Sequence, residues 1–303
     1  MISPQAYIAM FFFKQQKRVL LAHKNNTKFM RKLFEHGAQF SPLPSHIQTS
    51  MHQLENIQMM QINNLSIKKS KNKILFYIHG GGFVIGSSNS YKAYVASLCK
   101  LSNAEFAYLP VFRLAPEARF PNALNDVFDA WQYVSQKHPD HEIVLAGDSA
   151  GGNLSLALCI QLRDLKQKLP LLTYLQSPWL DLTLTSLSHQ KQDRRDPFLG
   201  TYLLERDFAR HYVGEMDRKN PLISPLFADF TGLTPFYVQV GSKEVLLDDS
   251  REFVKRAKAH GVDATLDIWT SMWHAWPIVP FVPESKKARI KAGQWLGSLV
   301  SKN

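Results

Sequence analysis

Cysteine is nearly absent: the 303 residues contain two, Cys99 and Cys159. A disulfide framework and a cysteine-rich zinc site are thereby excluded, and both thiols fall in apolar, helix-like stretches where small buried side chains are expected. Glycine (15) and proline (16) are not in surplus, which removes collagen-like and low-complexity readings, and no repeat of solenoid period is present. Long apolar runs are missing too. Nothing approaches the ~18 apolar residues that cross a bilayer. The short run from Ala6 to Phe13 is followed by Lys14, Lys17 and Arg18, where a secretory leader would carry small residues before its cleavage site. The expected location is cytoplasmic, in a reducing compartment.

Acidic residues are outnumbered, 25 against 36 Lys and Arg, which leaves a formal charge of +11. The bases are scattered. Their one cluster, Lys68-Lys69-Ser70-Lys71-Asn72-Lys73, lies between two strand-like runs and is expected to be a solvated hairpin loop. No zinc finger, RNP aromatic motif or basic zipper accompanies the charge, so a nucleic-acid partner is not expected. With 45% hydrophobic and 20% charged residues the chain can fill one sizeable core, and it reads as a single domain over residues 1–303.

Short apolar runs alternate with longer helical patterns, which points to an α/β protein with a mostly parallel, doubly wound sheet. Met59 to Ile67 alternates as an edge strand would. Ile74 to Ile78 is continuously apolar, as a strand buried on both faces requires. Further strands are expected at Glu105 to Leu109, Ile143 to Ala146, Leu171 to Leu175, Phe236 to Val240 and Thr265 to Trp269. Helices are expected at Tyr91 to Leu101, Ala123 to Gln136, Asn153 to Leu165, Ser250 to His260 and Glu284 to Val300. Two segments break the alternation: the N-terminus through Ile57, with a helix around Tyr7 to Leu21, and the stretch His189 to Asn220. Both are expected to build a cap, formed by about residues 1–50 and 187–220, over the C-terminal edge of the sheet.

Chemistry concentrates in two glycine motifs. Gly147-Asp148-Ser149-Ala150-Gly151 stands between a strand and a helix, the setting in which a sharp turn pushes a serine hydroxyl out of the sheet edge in front of a helix N-terminus. His79-Gly80-Gly81-Gly82-Phe83 ends the Ile74 to Ile78 strand, and its backbone can approach a substrate carbonyl. The N–H groups of Gly81 and Gly82, with that of Ala150, would then receive a developing oxyanion. Neither glycine-rich phosphate motif is present.

A serine needs a base, and the base needs an acid to orient it; in this order of elements they follow as Ser, Asp/Glu, His. Of the later histidines, His189 and His211 fall in the cap and His260 at a helix end beside Gly261. His274 follows the Thr265 to Trp269 strand and is the expected base, against a buried packing role between Trp273 and Trp276. Glu244, three residues past Gly241, is the expected acid; Asp248, at the start of the next helix, is its rival and reads equally as a helix cap.

From Ile74 to the C-terminus the chain resembles the hormone-sensitive-lipase-like (bacterial family IV) esterases of the α/β-hydrolase superfamily. The resemblance rests on His79 to Phe83, Phe112-Arg113-Leu114-Ala115-Pro116-Glu117, Phe120 to Leu124, Gly147 to Asn153, Ser177-Pro178-Trp179-Leu180-Asp181-Leu182-Thr183 and the His274 loop. It implies an eight-stranded sheet, a helical cap, and hydrolysis of small, short-chain carboxylic esters with no cofactor or metal, by a monomer or homodimer. The chain departs from the family at Phe112, where tyrosine is usual, and at the acid, where Glu244-Val245-Leu246 replaces an Asp-Pro-Leu run. Rival readings are an amidase or peptidase using the same groups, and a catalytically silent ligand-binding protein on the same fold. The aromatic and basic helix of the N-terminus could lie over an acyl pocket or touch a membrane surface.

Overall fold

The computed structural model describes residues 2–23, 26–38, 43–55, 57–65 and 72–298. Eight strands form one sheet: β1 (Ile47–Gln53), β2 (Gln58–Asn64), β3 (Lys73–Ile78), β4 (Phe106–Val111), β5 (Glu142–Asp148), β6 (Thr173–Gln176), β7 (Phe236–Gly241) and β8 (Ala264–Trp269). Their order is β1-β2-β4-β3-β5-β6-β7-β8, with β2 antiparallel to β1 and β4 and every other pair parallel.

The interior strands form where the chain offers an unbroken apolar run. Every residue of β3, β6 and β7 is buried, as a strand covered by helices on both faces must be. The flanking helices are α3 (Ser88–Leu101), α4 (Asn122–Lys137), α5 (Ser149–Asp164), α9 (Leu247–Ala259) and α10 (Pro283–Ser298). Helix α5 is the most deeply set: Leu154, Leu156, Leu158 and Leu162 are wholly buried, together with Cys159, while Cys99 is buried in α3. Ser87 closes the N-terminus of α3 with a reciprocal side-chain box to Ser90.

Outside the sheet lie α1 (Pro4–Ala22), α2 (Thr27–Ala38), α6 (Leu187–Lys191), α7 (Thr201–Leu203) and α8 (Arg210–Val213), the last two joined by a π-helical turn at Leu204–Ala209. Ser3 caps α1 through Oγ and also binds Glu284 of α10 with its N–H and hydroxyl, at 2.6 and 2.7 Å. Lys17 donates to the carbonyls of Asp193, Asp196 and Leu199 at 2.7, 3.1 and 2.9 Å, which fastens α1 to the His189 to Asn220 segment. Arg31 of α2 donates to the Val84 and Ala115 carbonyls and pairs with Glu117.

Three expectations change. The Met59 strand is not an edge: β1 pairs outside it, so the segment outside the sheet ends before Ile47. Strand β1 escapes sequence reading because only Ile47 among its seven residues is buried, which leaves no apolar alternation to detect. Strands β2 and β3 do not pair, so the link between them is a crossover rather than a hairpin. Of the basic cluster in that link, Lys68, Lys69 and Lys71 lie outside the described residues. Lys73 is not solvated: it is buried and donates to the Leu296 carbonyl at 2.9 Å.

Candidate active site

Strand β5 delivers Ser149 to the C-terminal edge of the sheet and α5 begins on the same residue. The turn forces Ser149 to φ 53°, a left-handed value uncommon for a side chain larger than glycine's hydrogen. The following helix must also pass close to β3: a Cβ on Gly151 would sit 2.1 Å from the Ile78 carbonyl oxygen. Ala150, in the first turn of α5, has an N–H with no helical acceptor of its own.

The loop after β3 is held by Asp148. Its Oδ1 accepts from the Gly80 N–H and the Tyr77 hydroxyl, both at 2.8 Å, and its Oδ2 accepts from the Tyr91 hydroxyl at 2.9 Å. Burial pushes this carboxyl up to about 6, against the pull of those three donors. Gly81 takes φ 114°, and a Cβ there would meet the Ile85 carbonyl at 2.1 Å. Next door, Gly82 leaves room for the ring of Phe208, which the π-helical turn of the cap presses against the loop. His79 stacks on Phe112 with ring centroids 4.4 Å apart and donates Nδ1–H to the Gly80 carbonyl; burial pulls its pKa down to about 4. Phe112 thus contributes the face of its ring to the packing of His79.

His274 Nε2 lies 3.0 Å from Ser149 Oγ, and its Nδ1 lies 3.1 Å from Glu244 Oε2. The other oxygen, Glu244 Oε1, accepts from the Ser177 hydroxyl at 2.8 Å and the Gly241 N–H at 2.5 Å. Burial raises the Glu244 carboxyl well above its ordinary range, opposed by those two donors. The same burial lowers His274, opposed by the nearby Asp196 and Asp148 carboxylates. An imidazole that is neutral at neutral pH, hydrogen-bonded to a hydroxyl on one side and a carboxylate on the other, is the arrangement for removing a proton from Ser149.

The rival groups lie elsewhere. Asp248 accepts from the Ser188 N–H at 2.8 Å and pairs with Arg251, so it ties α6 to α9. His189 pairs with Asp249 at 3.1 Å in a buried contact. His260 caps α9 and accepts from the Phe230 N–H at 2.9 Å, and His211 sits in α8.

Two participants were not singled out by sequence reasoning. Ser177, at the end of β6, bonds Glu244 and accepts from the Ala275 N–H at 3.3 Å, linking the acid to the His274 loop. Asp196 accepts from the Phe198, Leu199 and Val245 N–H groups at 3.0, 3.1 and 3.3 Å, and burial raises it to about 6. Phe198 in turn stacks over His274, centroids 6.0 Å apart. The Ser177 run was legible only as part of the family resemblance, with no role for its serine, and one aspartate in a polar loop carries no pattern that marks it beforehand.

In front of Ser149 opens a cavity of about 300 Å³, bounded by Gly81, Gly82 and His274 and walled by apolar side chains that include Phe13, Leu33, Leu203 and Phe281. Among the described residues no group of three or more His, Cys, Asp or Glu side chains could hold a metal ion.

A family model described as the α/β-hydrolase fold matches residues 75–278. An esterase of Acinetobacter venetianus is 34% identical over 251 residues, 82% of each chain. An acetyl-hydrolase of Streptomyces hygroscopicus is 37% identical over 226 residues, 74% of this chain and 75% of that one. Among solved structures, an esterase of the bacterial hormone-sensitive lipase family superposes with a TM-score of 0.91 at 32% identity, covering 99% of this chain and 100% of that one. An esterase/lipase from an uncultured bacterium gives 0.88 at 33% identity over 97% and 98%. With the strand order, the serine elbow and the glycine loop already in place, these likenesses have one reading: the chain belongs to the hormone-sensitive-lipase-like esterases of the α/β-hydrolase superfamily.

Proposed function

We propose that the protein hydrolyses small, short-chain carboxylic esters through an acyl-enzyme on Ser149. The observation that carries this is the unbroken hydrogen-bond relay from Ser149 Oγ through His274 to Glu244, opening on an apolar cavity. As Ser149 Oγ attacks the ester carbonyl, His274 Nε2 takes the hydroxyl proton and Glu244 steadies the imidazolium through Nδ1–H. The carbonyl oxygen becomes an anion received by the N–H groups of Gly81, Gly82 and Ala150; losing one such donor typically costs about 10²–10³ in rate. His274 then returns the proton to the departing alcohol. A water, activated by the same imidazole, releases the acid and restores the serine.

The cavity of about 300 Å³ suits an acyl chain of a few carbons. The complete relay favours this over a silent ligand-binding role, and the esterase and acetyl-hydrolase names of the relatives favour esters over amides. All the groups come from one chain, so one protomer suffices whether the protein is a monomer or a homodimer. Both cysteines are buried thiols, which supports the reducing cytoplasm as its place of work.

Ser149→Ala tests the assignment. Turnover of p-nitrophenyl acetate or butyrate should fall by roughly 10⁴-fold or more, with the circular dichroism spectrum unchanged. Retention of near-native activity contradicts it. Matched ester and anilide substrates test the bond class, with faster turnover of the ester expected.

A further inference from the structure

Helix α1 has two unlike faces. Inward, Ala6, Ala9 and Leu20 are buried, and Phe13, Gln16 and Leu20 line the cavity in front of Ser149. Outward, Tyr7, Ile8, Phe11 and Phe12 are 58%, 53%, 61% and 64% exposed. Their spacing, two pairs one helical turn apart, makes a continuous apolar ridge of three aromatic rings and Ile8 rather than scattered apolar residues. The same stripe runs on into Lys14 and Arg18, both exposed, and then Val19. Helix α1 contains no acidic residue. Residues 1–38 carry seven Lys and Arg against one acid, Glu35, so this eighth of the chain holds +6 of the net +11. Phe281, 57% exposed, lines the same cavity as Phe13.

We propose that the outer face of α1 is a docking surface for an anionic phospholipid bilayer. Aromatic and aliphatic side chains on one flank with Lys and Arg beside them are the composition of helices that lie in the headgroup region. The basic excess then adds attraction to phosphatidylserine- or phosphatidylglycerol-type lipids. A second copy of the chain fits less well: both partners would bring the same basic excess around α1 to the contact, on molecules of the same +11 charge. The docking does not depend on the esterase reading, because none of the four ridge residues lines the cavity.

The test is co-sedimentation of the full chain with vesicles of phosphatidylcholine alone and of equal parts phosphatidylcholine and phosphatidylglycerol. Binding to the mixed vesicles should be tenfold or more above that to the neutral ones, and should weaken in high salt. The double variants Phe11→Ser/Phe12→Ser and Lys14→Glu/Arg18→Glu should each lose about tenfold or more of that binding. Both should keep native turnover of dissolved p-nitrophenyl butyrate, which shows that they fold and separates this outcome from any failure of the esterase assignment. Native protein that stays in the supernatant with anionic vesicles overturns the proposal, as does binding that neither variant weakens. So does a dimer in sedimentation velocity that Phe11→Ser/Phe12→Ser converts to monomer, since the ridge is then a subunit interface.

Discussion

Ser149 holds its hydroxyl out on a backbone of φ 53°, a conformation that the β5–α5 turn imposes and serine does not favour. Its neighbours determine what the hydroxyl can do. Burial keeps His274 below its ordinary pKa, so the imidazole is neutral, and able to accept a proton, through the neutral range. The acid limb of kcat/KM should therefore fall below pH 6.5, with activity lost as the pH drops and the imidazole protonates. A pH–rate profile on p-nitrophenyl butyrate checks this; a midpoint above 7 would mean that the carboxylates around His274 outweigh its burial. The choice of acid can be checked in the same assay. Glu244→Gln should lower kcat by about 10²–10⁴, whereas Asp248→Asn, whose side chain serves Ser188 and Arg251, should leave kcat within a few-fold. The reverse order would transfer the role to Asp248.

Elements were legible where burial writes itself into the residue types. The runs behind β3, β5 and β7, and the long amphipathic patterns of α4 and α9, stand out because both faces, or one clear face, must be apolar. The glycine loop and the serine elbow were legible as well, since close backbone approach leaves few residue choices. What stayed hidden depends on tertiary partners. Strand β1 has one buried residue, the Lys73 ammonium finds a carbonyl 223 positions away, and Ser177 and Asp196 act only through what lies across from them. The same dependence makes the cap testable as an element. Lys17→Met would leave three carbonyls without their ammonium donor and free the segment that lays Phe198 over His274. We expect a loss of about 1–3 kcal/mol in urea unfolding together with a fall in kcat/KM; unchanged values in both would show that Lys17 does not latch the cap. In α5, Leu158→Ala should cost about 2–5 kcal/mol while the activity of the folded fraction is preserved, because that side chain is wholly buried in the core and does not line the cavity in front of Ser149.

For the whole molecule, the fold is a device for convergence. Parallel strands end on one edge, and the loops that leave β3, β5, β7 and β8 there bring Gly81, Ser149, Glu244 and His274 together from across nearly two hundred residues of chain. The cap then covers that edge with apolar side chains and leaves one cavity in front of the hydroxyl. Nothing in this arrangement matters unless the hydroxyl is in fact the atom that attacks. An organophosphate such as diethyl p-nitrophenyl phosphate, or a fluorophosphonate probe, reports that directly: peptide mass mapping after brief exposure should find one adduct per chain, on Ser149, with labelling largely abolished in His274→Ala. An adduct on another residue, or a native protein that takes up no label while its ester turnover continues, would contradict the account.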